Sequence, residues 1–307
     1  MKILITGITG LLGINLAQEA LAAHEVIGAA RASLPNAPFP VLRADLSDLR
    51  GVDLLLEESK PDWVINCAAL ADLEACERAL ETARRLNIDL PAKLAASCAA
   101  RNIRFVHIST DAVFDGEKDG AYTEDDEPNP LGVYAQTKLE GEKAALRENP
   151  RALAARVNFY GWSLSGRRSL AEFFVNNLMN RKSMSGFTDV IFCPMLVNDT
   201  ARALIKMLEK ELSGLYHLVG TEGMSKYQFG VEIARQFHLN ESDISPKSVL
   251  ASGLTARRSL NLQLSTHKLS TALGQSLPHF STGLAEFYTQ YAQGYPQKIR
   301  SYPQNKG

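Results

Sequence analysis

Tyr134 and Lys138 lie four residues apart in Leu131-Gly132-Val133-Tyr134-Ala135-Gln136-Thr137-Lys138-Leu139-Glu140-Gly141-Glu142, a stretch that reads as the start of a helix. That spacing puts both side chains on one helical face. A phenol and an ammonium so placed suit carbonyl reduction, in which the tyrosine gives a proton to the carbonyl oxygen while hydride reaches the carbon. The ammonium favours the phenolate and so lowers the phenol pKa. Upstream, the apolar run from Ile103 to Ile108 reads as a strand that delivers Ser109, Thr110 and Asp111. A hydroxyl from Thr110, with Ser109 as the lesser candidate, would hold the carbonyl oxygen. Tyr-x-x-x-Lys also occurs by chance on ordinary surface helices, so the elements around it decide its meaning.

The source of hydride is legible at the start of the chain. Lys2 to Thr6 is a short apolar run with strand character; Gly7-Ile8-Thr9-Gly10-Leu11-Leu12-Gly13 follows, and Leu12, Leu16, Ala20 and Ala23 then recur at helical spacing. Strand, glycine turn and helix in that order form a dinucleotide site. Gly7 permits the sharp turn, Gly10 lets a diphosphate approach the backbone, and Gly13 lets the helix pack on the strand. The first helical N–H groups and the positive dipole end face the phosphates. Outside that context the same glycines would be an ordinary strand-to-helix turn. A nicotinamide held here supplies hydride, and Lys138 is placed to hydrogen-bond its ribose.

Strand and helix patterns alternate after this turn, which predicts an α/β fold: a Rossmann-type, doubly wound parallel sheet. Glu25 to Ala30 reads as the second strand. It ends at Ala30-Arg31-Ala32-Ser33, where many NAD sites carry an acid. An arginine there pairs with a 2′-phosphate and favours NADP, with NAD as the alternative; otherwise Arg31 is a solvated surface residue. Val41 to Leu46 reads as a strand closed by Asp45, which either accepts from an adenine amino group or caps the next helix. Trp63 to Cys67 is a buried-type strand running into Ala68-Ala69-Leu70, small residues against which a flat cofactor can lie. The expected cofactor set is Gly7, Thr9, Gly10, Leu11, Leu12, Gly13, Arg31, Asp45, Leu46, Cys67, Ala68 and Ala69, with Tyr134 and Lys138. Glu81 to Arg101 reads as one scaffold helix on which Asn87 has a structural role.

From about Trp162 the alternation weakens. Residues 1–162 and about 192–219 are expected to form the dinucleotide-binding domain, and about 163–191 and 220–307 a smaller C-terminal substrate-binding lobe, with the site in the cleft between them. Trp162 is expected to close the lobe interface. Two basic doublets, Arg167-Arg168 and Arg257-Arg258, offer forked donors to a nucleotide diphosphate, and one of the two is expected to do so. The substrate set is Asp111, Val113, Asn158, Arg168 and Arg258.

The 307 residues, 45% of them hydrophobic and 22% charged, suffice for a large core, and a formal net charge of -1 gives no basic field for nucleic acid or an anionic membrane. Apolar runs break well before the roughly 20 residues that span a bilayer. The glycines after Lys2 fit the nucleotide turn better than a signal peptide. Cys67, Cys76, Cys98 and Cys193 form no Cys-x-x-Cys pair, as expected of reduced thiols in a cytoplasmic protein, and the six histidines show no metal-ligand spacing.

Three strings together resemble the extended short-chain dehydrogenases/reductases, and among them the dTDP-4-dehydrorhamnose reductases. They are Gly7-x-x-Gly10-x-x-Gly13, Ser109-Thr110-Asp111-Ala112-Val113-Phe114-Asp115-Gly116, and Pro130-Leu131-x-Val133-Tyr134-x-x-x-Lys138-x-x-Gly141-Glu142. Looser echoes at Arg156 to Gly161, Gly214 to Leu218 and Asn261 to Leu269 extend the resemblance over nearly the whole chain. It implies Thr110, Tyr134 and Lys138 as the catalytic set, NADP as cofactor and a 4-keto-6-deoxy sugar nucleotide as substrate, and it leaves a homodimer open. Leu11 stands where these reductases often have glutamine, and Ala112 where they have tyrosine and the related 4,6-dehydratases glutamate, which disfavours dehydration. The segment that borders the sugar in the family is represented only by Thr188 to Met195. Two other readings share these motifs: a sugar-nucleotide epimerase that keeps its cofactor bound, and a non-catalytic NADP-binding partner resembling the regulatory subunit of methionine adenosyltransferase.

Overall fold

A computed structural model describes residues 1–251, 253 and 258–304 of the chain. Its centre is a sheet of β1 (Lys2–Thr6), β2 (Glu25–Ala30), β3 (Val41–Arg43), β4 (Trp63–Asn66), β5 (Arg104–Thr110), β6 (Leu153–Val157) and a last strand, Gly214–Leu218. From edge to edge the order is β3, β2, β1, β4, β5, β6 and the last strand, and every pairing is parallel. This is the doubly wound Rossmann-type sheet expected. Winding reverses between β1 and β4, so the connections diverge there and leave a crevice at the strands' carboxyl ends.

The strands are apolar on both faces because both faces are covered. Ile3 and Ile5 of β1 enter one core while Leu4 between them enters the other, as the two-residue repeat of a strand demands. The first core continues without a break from Ile3, Ile5 and Leu153 to Phe174, Phe229 and Phe287, so segments assigned above to the two lobes share it. Trp162 lies within that core, 2% exposed, stacked on Phe287 with ring centroids 4.1 Å apart and donating from Nε1 to the Phe287 carbonyl at 3.1 Å. Such a pair adds about 0.5–1.5 kcal/mol beyond the area it buries.

One charged pair is buried under the sheet. Arg156 on β6 meets Glu142 through two hydrogen bonds of 3.0 and 2.7 Å, with side chains 2% and 3% exposed. Glu142 belongs to the helix Val133–Glu148, which carries Tyr134 and Lys138. The fork geometry satisfies both partners and fixes that helix against the sheet.

Three expectations need correction. The first helix is Leu11–Ala20, so Ala23 lies beyond it. The third strand ends at Arg43, which leaves Asp45 in a loop; its carboxylate accepts from the Ser47 N–H at 3.0 Å and hydroxyl at 2.7 Å, and it caps no helix. The scaffold helix from Glu81 to Arg101 is broken into Leu80–Arg84 and Leu90–Ala100 by a π turn, Arg85–Asp89. The wider turn carries Asn87 inward, where its Oδ1 accepts from Leu70 N at 2.9 Å and its Nδ2 donates to Leu70 O at 3.1 Å and Thr137 Oγ1 at 3.0 Å. Asn87 thus ties the loop after β4 to the Tyr134 helix. At Gly141 that helix passes so close that a Cβ would strike the Asn87 carbonyl oxygen.

Candidate active site

A cleft of about 1050 Å³ opens at the carboxyl ends of β1 to β4. Gly7, Thr9 and Gly10 line it after β1, Arg31 after β2, Asp45 and Leu46 after β3, and Cys67, Ala68 and Ala69 after β4. Side chains have been kept out where the backbone must come close. Gly7 has φ +65°, and a Cβ there would lie 2.7 Å from Ala68 N; one on Gly13 would lie 2.5 Å from Gly7 O. Leu11, Leu12 and Gly13 do not line the cleft; they form the first turn of the helix capped by Gly10, whose opening N–H groups have no helical acceptor. Donors, small residues and volume fit a dinucleotide with its diphosphate at the helix start. Burial pushes the Cys67 thiol up to about 12, so Cys67 is a wall and not a nucleophile.

Arg167 and Arg168 also face this cleft, together with Arg31 and Arg85. Arg168, expected at the substrate, therefore sits with the dinucleotide set. Its counterpart Arg257 lies outside the described residues, whereas Arg258 does reach the second cavity.

That second cavity, about 320 Å³, brings together Thr110, Asp111, Tyr134, Asn158 and Arg258, and Ala71 borders both spaces. The carboxyl ends of β5 and β6 supply Thr110, Asp111 and Asn158, and the first turn of the helix Val133–Glu148 supplies Tyr134. Val113 does not take part. The short turn Asp111–Val113 rotates it into a core with Phe114, Tyr122 and Leu139, where it is 0% exposed. Ser109, 2% exposed, lines neither space, which leaves Thr110 as the hydroxyl at the cavity.

Asp111 is buried, and burial raises its carboxyl pKa to about 6 against the hydrogen bonds from Asn158 and Thr110. Asn158 Nδ2 donates to Asp111 Oδ2 at 2.5 Å, and Thr110 Oγ1 donates to Oδ1 at 3.1 Å. Burial likewise pushes the Tyr134 phenol up to about 12, opposed by a hydrogen bond with Thr110 and reinforced by Asp111. This corrects the expectation that Lys138 lowers it. Lys138 is 3% exposed and lines neither cavity; its Nζ donates to Ile108 O at 2.5 Å, and burial brings its pKa down to about 8.

Lys226 was missed. It is the first residue of the helix Lys226–Gln236 and faces the second cavity, where burial and then Arg258 lower its pKa while Asp111 opposes them. The sequence did hold a signal: Ser225 caps that helix, and a cation directly after a cap stands at the dipole end that disfavours it. Among the described residues no group of three or more His, Cys, Asp and Glu is placed to hold a metal ion, and no helix is long and apolar enough to cross a membrane.

Residues 1–293 match the family pattern described as the RmlD substrate binding domain. This chain belongs to that family. The resemblance to extended short-chain dehydrogenases/reductases of the dTDP-4-dehydrorhamnose reductase group is thereby borne out, as is the expectation of an NAD(P)-linked oxidoreductase family. Over 292 residues the chain is 33% identical to the probable low-salt glycan biosynthesis reductase Agl14 of Haloferax volcanii, covering 93% of this chain and 96% of that one. It is 32% identical over 296 residues to methionine adenosyltransferase 2 subunit beta of Mus musculus, covering 93% and 86%. The structure of a dTDP-4-dehydrorhamnose reductase from Clostridium acetobutylicum superposes with a TM-score of 0.82 at 28% identity, over 95% of this chain and 100% of the other. The proteins this chain is similar to thus include one named as a subunit of a methionine adenosyltransferase as well as reductases.

Proposed function

We propose that this chain reduces the keto group of a 4-keto-6-deoxy sugar nucleotide with NADPH. The observation that carries the reading is the meeting of Tyr134 and Thr110 at a small cavity that shares Ala71 with a dinucleotide-sized cleft. When bound, the nicotinamide supplies hydride. Tyr134 then gives its proton to the substrate oxygen: a phenol raised to about 12 holds its proton in the resting state and yields it only to the far more basic alkoxide that forms. Thr110 orients the phenol through their hydrogen bond and stands beside the reacting oxygen. Asp111, steadied by Asn158, offers an acceptor to a sugar hydroxyl, and Lys226 and Arg258 offer cations to the substrate's phosphates.

Arg31 supports NADPH over NADH, because its guanidinium stands at the end of β2 on the wall of the larger cleft, with Arg167 and Arg168 on the same wall. The likeness to a methionine adenosyltransferase subunit keeps an assembly role as the second reading, and the intact cluster of Tyr134, Thr110 and Asp111 favours catalysis over it.

The test is NADPH oxidation, followed by nicotinamide absorbance, with a panel of nucleotide-linked 4-keto-6-deoxy sugars. Turnover with one of them is the expected result. NADPH binding without reduction of any panel member overturns the substrate assignment. A second protein co-purifying at fixed stoichiometry then favours the assembly role, and cofactor retained through purification an epimerase.

A further inference from the structure

Lys138 ends a row of buried polar groups, and the donors and acceptors along the row fix where the protons lie. Thr6, at the end of β1, donates its hydroxyl to Asn66 Oδ1 at 2.7 Å, and the Ala68 N–H donates to the same oxygen at 3.3 Å. Two donors on one oxygen set the orientation of the amide. Asn66 Nδ2 therefore faces Nδ1 of His107 on β5, 3.3 Å away. An amide N–H donates and does not accept, so Nδ1 is the acceptor and the neutral imidazole carries its proton on Nε2. Nε2 lies 3.4 Å from Lys138 Nζ, whose other partner is the Ile108 carbonyl. Against an ammonium, Nε2–H is donor facing donor. Against an amine, it is donor facing lone pair.

We propose that His107 is a positioning residue acting through Lys138: held by Asn66 as the Nε2–H tautomer, it favours the lysine amine over the ammonium and leaves the Ile108 carbonyl as the acceptor that holds Nζ in place. The consequence for catalysis rests on the reductase reading above; the tautomer and its effect on Lys138 do not. His107 is 1% exposed, and burial, then the Lys138 charge, hold its pKa well below 6.5, so the ring is neutral at physiological pH. Glu142, Cys67 and Cys76 act on Lys138 in the opposite direction, each with less effect than burial. Cys67 follows β4 and Cys76 sits on the helix Leu73–Arg78, both with thiols that burial keeps protonated, at about 12 and about 11. Glu142, one turn along the lysine's own helix, is occupied by Arg156. Nothing in the sequence marks His107 for this role, because it depends on which way an amide on the strand beside β1 is facing.

The direct test is long-range proton–nitrogen correlation NMR on the whole chain labelled with ¹⁵N-histidine, without cofactor. A pyrrole-type Nε2 and a pyridine-type Nδ1 at neutral pH are expected. The opposite tautomer, or a charged ring, overturns the proposal. Asn66→Asp then puts a carboxylate where the amide was, which accepts from Nδ1–H and turns the Nε2 lone pair towards Lys138. The lysine titration, read from its ¹³Cε shift, should rise from about 8 by about one unit or more, a tenfold change in proton affinity. In a His107→Phe background the same substitution acts through charge alone and should move Lys138 much less. Equal shifts in the two backgrounds overturn the proposal. Should Asn66→Asp fail to fold, the wild-type tautomer still decides. None of these readouts needs turnover, so a failure of the reductase reading would leave them standing and a wrong tautomer would leave turnover intact.

Discussion

Lys138 lies one helical turn from Tyr134, yet its Nζ donates to the Ile108 carbonyl at 2.5 Å and no hydrogen bond joins it to the phenol among the described residues. The two residues therefore act separately on the resting site. Tyr134 keeps its proton because it is buried beside Asp111, and Lys138 gives its proton up more readily than an exposed lysine because it is buried.

Replacing Tyr134 by Phe removes the proton donor and little volume. Turnover should fall by about 10²–10⁴-fold, the usual contribution of a general acid, while NADPH affinity holds. Steady-state kinetics with a fluorescence titration of NADPH checks both; undiminished turnover would take the phenol out of the mechanism.

Arg31→Ala should weaken NADPH by about 10- to 100-fold, the loss expected for a charge-assisted contact, and leave NADH nearly unchanged. Cofactor titrations compare the two. Equal losses would mean that Arg31 does not meet the 2′-phosphate.

Asp111 makes the fold's stability depend on pH in a direction opposite to that of an ordinary paired carboxylate. Its folded pKa, about 6, is above the ordinary 3.8, so its contribution is fully present below 3.8 and is lost as pH rises through 6. Asp111→Asn abolishes that dependence. Its melting temperature relative to wild type should climb between pH 5 and pH 8, by the equivalent of about 1.4 kcal/mol. A gap that stays constant over this range would show that Asp111 ionises in the fold without cost.

Glu142→Gln leaves the Arg156 guanidinium charged and uncompensated beneath the sheet. A loss of about 3–5 kcal/mol is expected from the urea midpoint, with much of it recovered by Arg156→Met in the same chain. If the double variant is no more stable than the single, the pair contributes through something other than its charge.

Much of the architecture was legible because period and punctuation agree: apolar runs from Lys2 to Thr6 and from Trp63 to Asn66, glycines at 7, 10 and 13, and a helical pattern carrying Tyr134 and Lys138. The misreadings share a cause. Val113 was placed with the substrate set beside Asp111, whereas it lies in a short turn that rotates successive side chains in different directions. The π turn at Arg85–Asp89 was invisible because helical spacing resumes after it, and Arg168 was assigned to the substrate because a loop's direction is set by what it packs on. The partner of Lys138 is a backbone carbonyl, and every residue type offers one.

The contact of Gly141 with the Asn87 carbonyl reaches beyond packing to heredity. Asn87 and Gly141 belong to helical segments on either side of β5 in the chain, and neither is viable with an arbitrary partner: a side chain at 141 demands a regular helix at 87, and the π turn at 87 demands a bare backbone at 141. A transplanted segment that brings any side chain to 141 should therefore fail to fold unless residues 85–89 change with it.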